Sequence, residues 1–201
     1  MPSIICYCDN KINVSYQKEY ELKKNSALTK SVLDGSFLNF KCGKCGKILK
    51  PEFKIKFLYG AEKYSIYLLP EIDSSAYLLG KIKIPKTDRV ALGYPELVEK
   101  IKLLEKGLSD EAIEIVKFYI YEKLDTDKEI SILFNDIKDD QIEFFVLGLK
   151  DNEIGVFKAP FSSYEEVNKN LSLLKSEDPY SYILEGPYVS IKKIELESEE
   201  E

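Results

Sequence analysis

Four cysteines and no histidine, in a chain of 201 residues, constrain this sequence more than any other feature. The cysteines fall into two close pairs, Cys6-Tyr7-Cys8 and Cys42-Gly43-Lys44-Cys45, with 33 residues between them. The C-x-x-C spacing of the second pair lets two sulfurs meet one tetrahedral metal at ~2.3 Å each, and the C-x-C of the first pair is tighter and the weaker half of the signal. Gly46 follows the second pair and allows the tight turn in which backbone N–H groups point at the sulfurs. Near the first pair, Asn10 can take a left-handed conformation if the turn requires one. Four thiolates fill a zinc coordination sphere and leave no position for water, so the pattern points to a structural zinc site made by Cys6, Cys8, Cys42 and Cys45. A redox reading of Cys42 and Cys45 competes, because Lys44 between them would lower a thiol pKa. Strand-forming residues come after the motif, however, where a thioredoxin-like C-x-x-C opens a helix. Four ordinary free thiols are the third reading.

The missing histidine removes Ser-His-Asp triads, Cys-His dyads and HExxH zinc sites, and no activity is expected. No phosphate-binding glycine loop or dinucleotide fingerprint takes their place. The sequence lacks an apolar run long enough for a membrane helix and opens without a secretory signal, so a cytoplasmic location is expected. Residues 1–60 hold eleven lysines against five acids, a surplus of six positive charges that leaves −12 for residues 61–201. Part of the lysine excess can offset the −2 of a zinc-tetrathiolate cluster.

Hydrophobic periodicity then divides the chain. Ile12, Val14 and Tyr16 alternate as a strand does. Asn25 or Ser26 can cap a short helix carrying Leu28, Val32 and Leu33, which Gly35 ends. Phe53 to Phe57 and Tyr64 to Leu69 read as a β meander. After a connection bracketed by Pro85 and Pro95, which can include a short Arg89 to Leu92 run, Leu97, Ile101, Leu104 and Leu108 mark a helix from Glu96 to Gly107. Ser109 caps a second helix, apolar around much of its circumference and so expected to be buried on two sides, between the zinc part and the C-terminal part of the chain. Three strands come next, at Ile130 to Phe134, Ile142 to Leu149 and Ile154 to Phe157. A helix from Ser162 or Ser163 is broken at Asp178-Pro179, and a last hairpin is expected from Tyr182 to Leu184 and Tyr188 to Ile194. The predicted class is α+β: a zinc-ribbon-containing β domain over 1–90, a helical hairpin over 91–125, a β-rich C-terminal domain with one helix over 126–194, and an acidic, disordered tail over 195–201.

The order Leu33-Asp34-Gly35-Ser36, then Phe40-Lys41-Cys42-Gly43-Lys44-Cys45-Gly46, then Tyr64-Ser65-Ile66-Tyr67-Leu68-Leu69-Pro70 resembles the CpXC-domain proteins of bacteria and archaea. Glu96 to Ile101, followed by Gly107 to Asp110, extends the likeness, which covers roughly residues 4 to 124. The resemblance implies zinc binding: Cys42 and Cys45 match the family's second C-P-x-C motif, and Cys6 and Cys8 stand in the place of the first. Two departures are plain, since Gly43 replaces a proline and the first pair is one residue shorter.

Two other features invite chemistry. Lys41, Lys44, Lys47 and Lys50, with Lys54, Lys56 and the interleaved Phe40, Phe53 and Phe57, could bind single-stranded nucleic acid. The blander reading is a strand with phenylalanines inward and lysines outward, and Arg89 is the sole arginine for forked phosphate contacts. Asp136, Asp139 and Asp140, and the pair Glu165 and Glu166, fit turns and a solvated helix better than a calcium loop. The favoured expectation is a non-enzymatic zinc protein that works as a protein-interaction or scaffold module. A nucleic-acid-binding or transcription-associated zinc ribbon and a C-x-x-C thiol oxidoreductase are the alternatives.

Overall fold

The computed structural model describes residues 2–61, 64–124 and 126–194. The acidic tail expected over 195–201 lies outside them. The chain is mixed α+β and partitions into two compact units, residues 1–84 with 90–98, and residues 85–89 with 99–201. The expected segment 91–125 is thus divided between them. Among the described residues, no helix is long and apolar enough to cross a membrane.

The first unit begins with a hairpin of β1 (Ser3–Ile5) and β2 (Lys11–Asn13), with Ile4 opposite Ile12. The alternation of Ile12, Val14 and Tyr16 does not continue as a longer strand. Val14 is buried, Tyr16 stacks on Phe53 at 3.9 Å, and a separate β3 (Glu19–Leu22) comes next. Helix α1 (Ala27–Leu33) starts where the capping chemistry predicts, since the Ser26 hydroxyl accepts the Thr29 N–H at 3.2 Å. It ends at Gly35, whose φ of +73° is the left-handed conformation that favours glycine.

Two short strands, β4 (Phe40–Lys41) and β5 (Ile48–Leu49), form a second small hairpin around the Cys42–Cys45 turn. The main sheet then assembles from β6 (Ile55–Tyr59) and β7 (Tyr64–Leu69). Its order is β3-β6-β7 with β8 (Arg89–Leu92) outermost. Strands β6 and β7 pair antiparallel as expected, but β3 lies parallel to β6, with Tyr20 beside Phe57, so the sheet is mixed. A 3-10 turn (Glu71–Asp73) and α2 (Ser74–Leu78) connect β7 to β8. Ile55 and Phe57 are buried while Lys54 is exposed and Lys56 half-buried, the inward-outward pattern expected of this segment. The packed aromatics Tyr20, Phe37 and Phe57 lie 5.0 to 5.9 Å apart.

Helix α3 (Tyr94–Lys106) starts two residues before the expected Glu96, with Pro95 in its first turn, where no intrahelical N–H is lost. In the second unit, α4 (Asp110–Leu124) has Ser109 Oγ accepting the Ala112 N–H at 3.3 Å. Its neighbours there are the antiparallel sheet of β9 (Ser131–Lys138), β10 (Gln141–Leu147) and β11 (Gly155–Pro160) and the helices α5 (Phe161–Leu174) and α6 (Tyr180–Leu184). Helix α5 begins at Phe161, one or two residues before the expected serines, and Pro160 offers no side-chain cap. The shared core gathers Ile113, Val116 and Ile120 with Ile132, Phe134, Phe144 and Val167.

The expected terminal hairpin is absent from the described residues. Tyr180, Ile183 and Leu184 follow the i, i+3, i+4 spacing of a helix face, and they form α6. Tyr188, Val189 and Ile191, read as the second strand, are instead buried in a segment with a short backbone link, from the Ser190 N–H to the Ile183 carbonyl at 3.2 Å.

A buried charge cluster fastens this unit. Lys117 Nζ donates to Glu114 at 2.6 Å and to Glu99 at 3.1 and 3.2 Å. The carboxylates also accept backbone N–H groups, Glu99 from Phe134 and Glu114 from Ile191. Each of the four carboxylate oxygens of Glu99 and Glu114 therefore has a donor.

Candidate metal centre

Two small hairpins bring the cysteines together within the first unit. The β1–β2 turn carries Cys6 and Cys8, and the β4–β5 turn carries Cys42 and Cys45. In the first turn the Asp9 N–H donates to the Cys6 carbonyl at 2.8 Å and the Cys6 N–H to the Asn10 carbonyl at 3.0 Å. Asp9 takes the left-handed conformation, with φ of +60°, one residue before the expected Asn10. That shift arises from the shorter C-x-C spacing, which forces the reversal immediately after Cys8. In the second turn the Cys42 N–H donates to the Lys47 carbonyl at 2.8 Å and the Gly46 N–H to the Cys42 carbonyl at 2.9 Å. Gly46 has φ of +76°, as its place after the motif predicts.

All four Sγ atoms lie within 4.8 Å of one another. The close approaches run between the pairs, Cys6 to Cys45 at 3.5 Å and Cys8 to Cys42 at 3.7 Å. Four sulfurs each ~2.3 Å from one tetrahedral ion stand ~3.8 Å apart, so the cluster has the dimensions of a four-sulfur metal site. All four cysteines are free of disulfides.

The local field favours a thiolate at Cys42. The Cys45 backbone N–H is the main influence, joined by the Lys44 N–H and the Asn10 side chain, and together they bring the thiol down to about 6 against the opposing effect of burial. Asn10 Nδ2 donates to Cys42 Sγ at 3.5 Å. Sequence spacing gives no sign of this outer contact, because Asn10 stands out there for its backbone freedom alone. Cys6 behaves oppositely: the Cys8 N–H draws its thiol down, but burial and the three neighbouring sulfurs outweigh it and push it up to about 12. Sulfurs this close cannot all ionise without a cation to share.

The other candidate residues are dispersed or engaged. Lys41, Lys44, Lys47 and Lys50 are exposed around the second hairpin. Lys44 Nζ reaches the Cys8 carbonyl at 3.4 Å, and Lys47 lies 5.5 Å from the centre of the Tyr7 ring. Arg89 forks onto Asp110 at 2.9 Å and Glu111 at 3.0 Å in the second unit. Asp136 pairs with Lys106 at 2.6 Å. Asp139 and Asp140, both at positive φ, form the two-residue turn of the β9–β10 hairpin. Glu165 and Glu166 are exposed on α5. These carboxylates act as turn and surface groups.

A family model described as "CpXC protein" matches residues 4–117. An uncharacterized protein of Treponema pallidum (strain Nichols) is 22% identical over 216 residues, covering 96% of this chain and 98% of the relative. No solved structure matches.

Proposed function

The chain belongs to the CpXC protein family, and from that footing we propose that Cys6, Cys8, Cys42 and Cys45 hold one structural Zn²⁺ in a non-enzymatic, cytoplasmic protein-interaction module. The observation that carries the reading is the convergence of four sulfurs from two hairpins within 4.8 Å. Zinc suits a set of four soft thiolates, and their number leaves it no open position for a substrate or a water nucleophile. The Cys45 and Lys44 amides and the Asn10 side chain would stabilise the ligating Cys42 thiolate. The nearby lysines offset the cluster's charge of −2.

The interaction role rests on side chains that the same hairpins expose. Ile5, Tyr7 and Ile48 are 73, 86 and 60% exposed although they flank the cysteines. Large apolar residues collected around a rigid metal-held turn suit a docking surface better than an isolated one would.

The deciding experiment is metal analysis of the purified chain with single Cys→Ser variants. One zinc per chain is expected, lost equally in Cys42→Ser and Cys8→Ser, with thiol-disulfide exchange activity at background. A full zinc content in Cys8→Ser would break the four-sulfur site into two unrelated pairs. Metal-free protein with disulfide turnover that depends on Cys42 would replace the reading with an oxidoreductase. For the interaction role, a partner retained by the native chain should be released by Tyr7→Ser at unchanged zinc content.

A further inference from the structure

In each small hairpin of the first unit the strand register sorts the side chains onto two faces. Ile4 lies opposite Ile12 and Phe40 opposite Leu49, and all four are half-buried. On the other face Ile5 lies opposite Lys11 and Lys41 opposite Ile48, and these four are exposed. Directly opposite residues of an antiparallel pair share a face, with Cβ atoms ~4.5–5.5 Å apart. At the tips, Lys47 Nζ stands over the Tyr7 ring, 5.5 Å from its centre, so the second hairpin meets the first. Each of the exposed apolar side chains Ile5, Tyr7 and Ile48 therefore has a lysine at its side.

Residues 3–13 and 40–50 hold five lysines, at positions 11, 41, 44, 47 and 50, against Asp9 alone. With the −2 of a zinc tetrathiolate included, these segments carry +2. All five lysines are exposed, and Lys11, Lys41, Lys44 and Lys47 have no carboxylate partner among the described residues. Lys44 donates to the Cys8 carbonyl, a neutral acceptor that leaves its charge unmatched. Carboxylates brought by another molecule meet these amines without displacing an existing ion pair, and the surplus charge steers them in.

The apolar groups decide among anionic partners. Single-stranded nucleic acid needs successive rings on which its bases stack. These hairpins offer Tyr7 alone, because Phe40 packs edge to face on Phe53 at 6.5 Å, Tyr16 stacks on Phe53 and Phe57 is fully buried. A lipid surface sorts side chains by depth, apolar groups below and amines at the headgroups. Here Ile5 with Lys11, and Ile48 with Lys41, stand at one level, so immersing the isoleucines drags the lysines down with them. A polypeptide presents carboxylates and apolar side chains interleaved on one face, and that pattern matches.

Resting on the reading of this chain as a zinc-held interaction module, we propose that its partner is an acidic protein segment in which carboxylates are interleaved with large apolar side chains. Ile5, Tyr7 and Ile48 receive the apolar side chains, while Lys11, Lys41 and Lys47 pair with the carboxylates. Tyr7 is the anchor, since an aromatic ring supplies a large contact area at small entropic cost. The lysines set the association rate and the register.

The probe is a random copolymer of glutamate and tyrosine, titrated into the labelled full-length chain and followed by fluorescence anisotropy. Poly-glutamate, an oligothymidylate, and vesicles of phosphatidylcholine and phosphatidylserine in equal parts are run beside it. The copolymer should bind more tightly than the other three, and its affinity should fall about three- to tenfold from low to physiological salt. Tyr7→Ser should weaken it about tenfold or more, and the double variant Lys11→Glu with Lys41→Glu about tenfold, both at native zinc content because the side chains are exposed. Zinc measured on the same samples separates the two readings. A chain purified without zinc would overturn both, whereas a zinc-loaded chain without salt-dependent binding of the copolymer would overturn this proposal alone. So would equal affinity for the copolymer and poly-glutamate, native affinity in Tyr7→Ser, or tighter binding to the oligothymidylate or the vesicles.

Discussion

Asp110 keeps its charge although its side chain is only 13% exposed, because Arg89 Nε stands 2.9 Å and Lys100 Nζ 3.4 Å from the same oxygen. Burial alone would raise its pKa; the charges of Lys100 and Arg89 outweigh burial and hold it below the ordinary 3.8. A carboxyl whose folded pKa is depressed contributes stability above its unfolded value and loses it as pH falls through the folded one. Urea unfolding of the second unit should therefore weaken as pH drops from about 4 toward 2, and Asp110→Asn should flatten that part of the profile. At pH 7 the same variant should cost about 2–4 kcal/mol, since Arg89 and Lys100 lose the negative charge they share. Had Arg89 been exposed beside the basic hairpin, nucleic-acid binding would have had its forked phosphate contact. Nothing local in the sequence reveals its partners, which lie more than twenty residues further along the chain. The cysteines were legible for the opposite reason, because each pair is a local spacing motif.

Elements followed the same rule. Helices α1 and α4 were readable at their N-termini because Ser26 and Ser109 bond amides three residues away. Ser26→Ala should cost about 1 kcal/mol, measured by chemical denaturation, with zinc content unchanged. The β9–β10 turn is local too, but its residues are not ideal for it. Asp139 and Asp140 hold φ of +49° and +56°, a conformation glycine adopts more cheaply. Asp140→Gly should therefore stabilise the chain by about 0.5–1 kcal/mol in the same assay, and a loss would mean that the aspartate makes a compensating interaction. Distant pairings were not legible. The parallel alignment of β3 with β6 joins residues 37 positions apart, and no alternation within Glu19–Leu22 specifies it. At the C-terminus, the run from Tyr182 to Leu184 is short and apolar, a pattern that strand and buried helix share, and tertiary packing decided for α6.

On the scale of the whole molecule, the two units draw stability from different sources. The second unit has a large apolar core around Ile113, Phe134 and Phe144, supported by the Glu99–Lys117–Glu114 cluster, and it contains no cysteine. In the first unit the four cysteines tie two hairpins whose longest strand has three residues, too little backbone pairing to persist alone. A structural zinc can supply on the order of 10 kcal/mol of folding free energy, so its removal should act where that contribution is concentrated. Hydrogen exchange read by mass spectrometry can locate the effect. Chelation at neutral pH should raise exchange across residues 3–13 and 40–49 first, while α4 and the β9–β11 sheet keep their protection. Re-addition of zinc should restore the slow exchange, and magnesium should not, because thiolates are poor ligands for a hard cation. Uniform loss of protection in both units would show that the metal governs the entire chain, and unchanged exchange everywhere would remove its structural role.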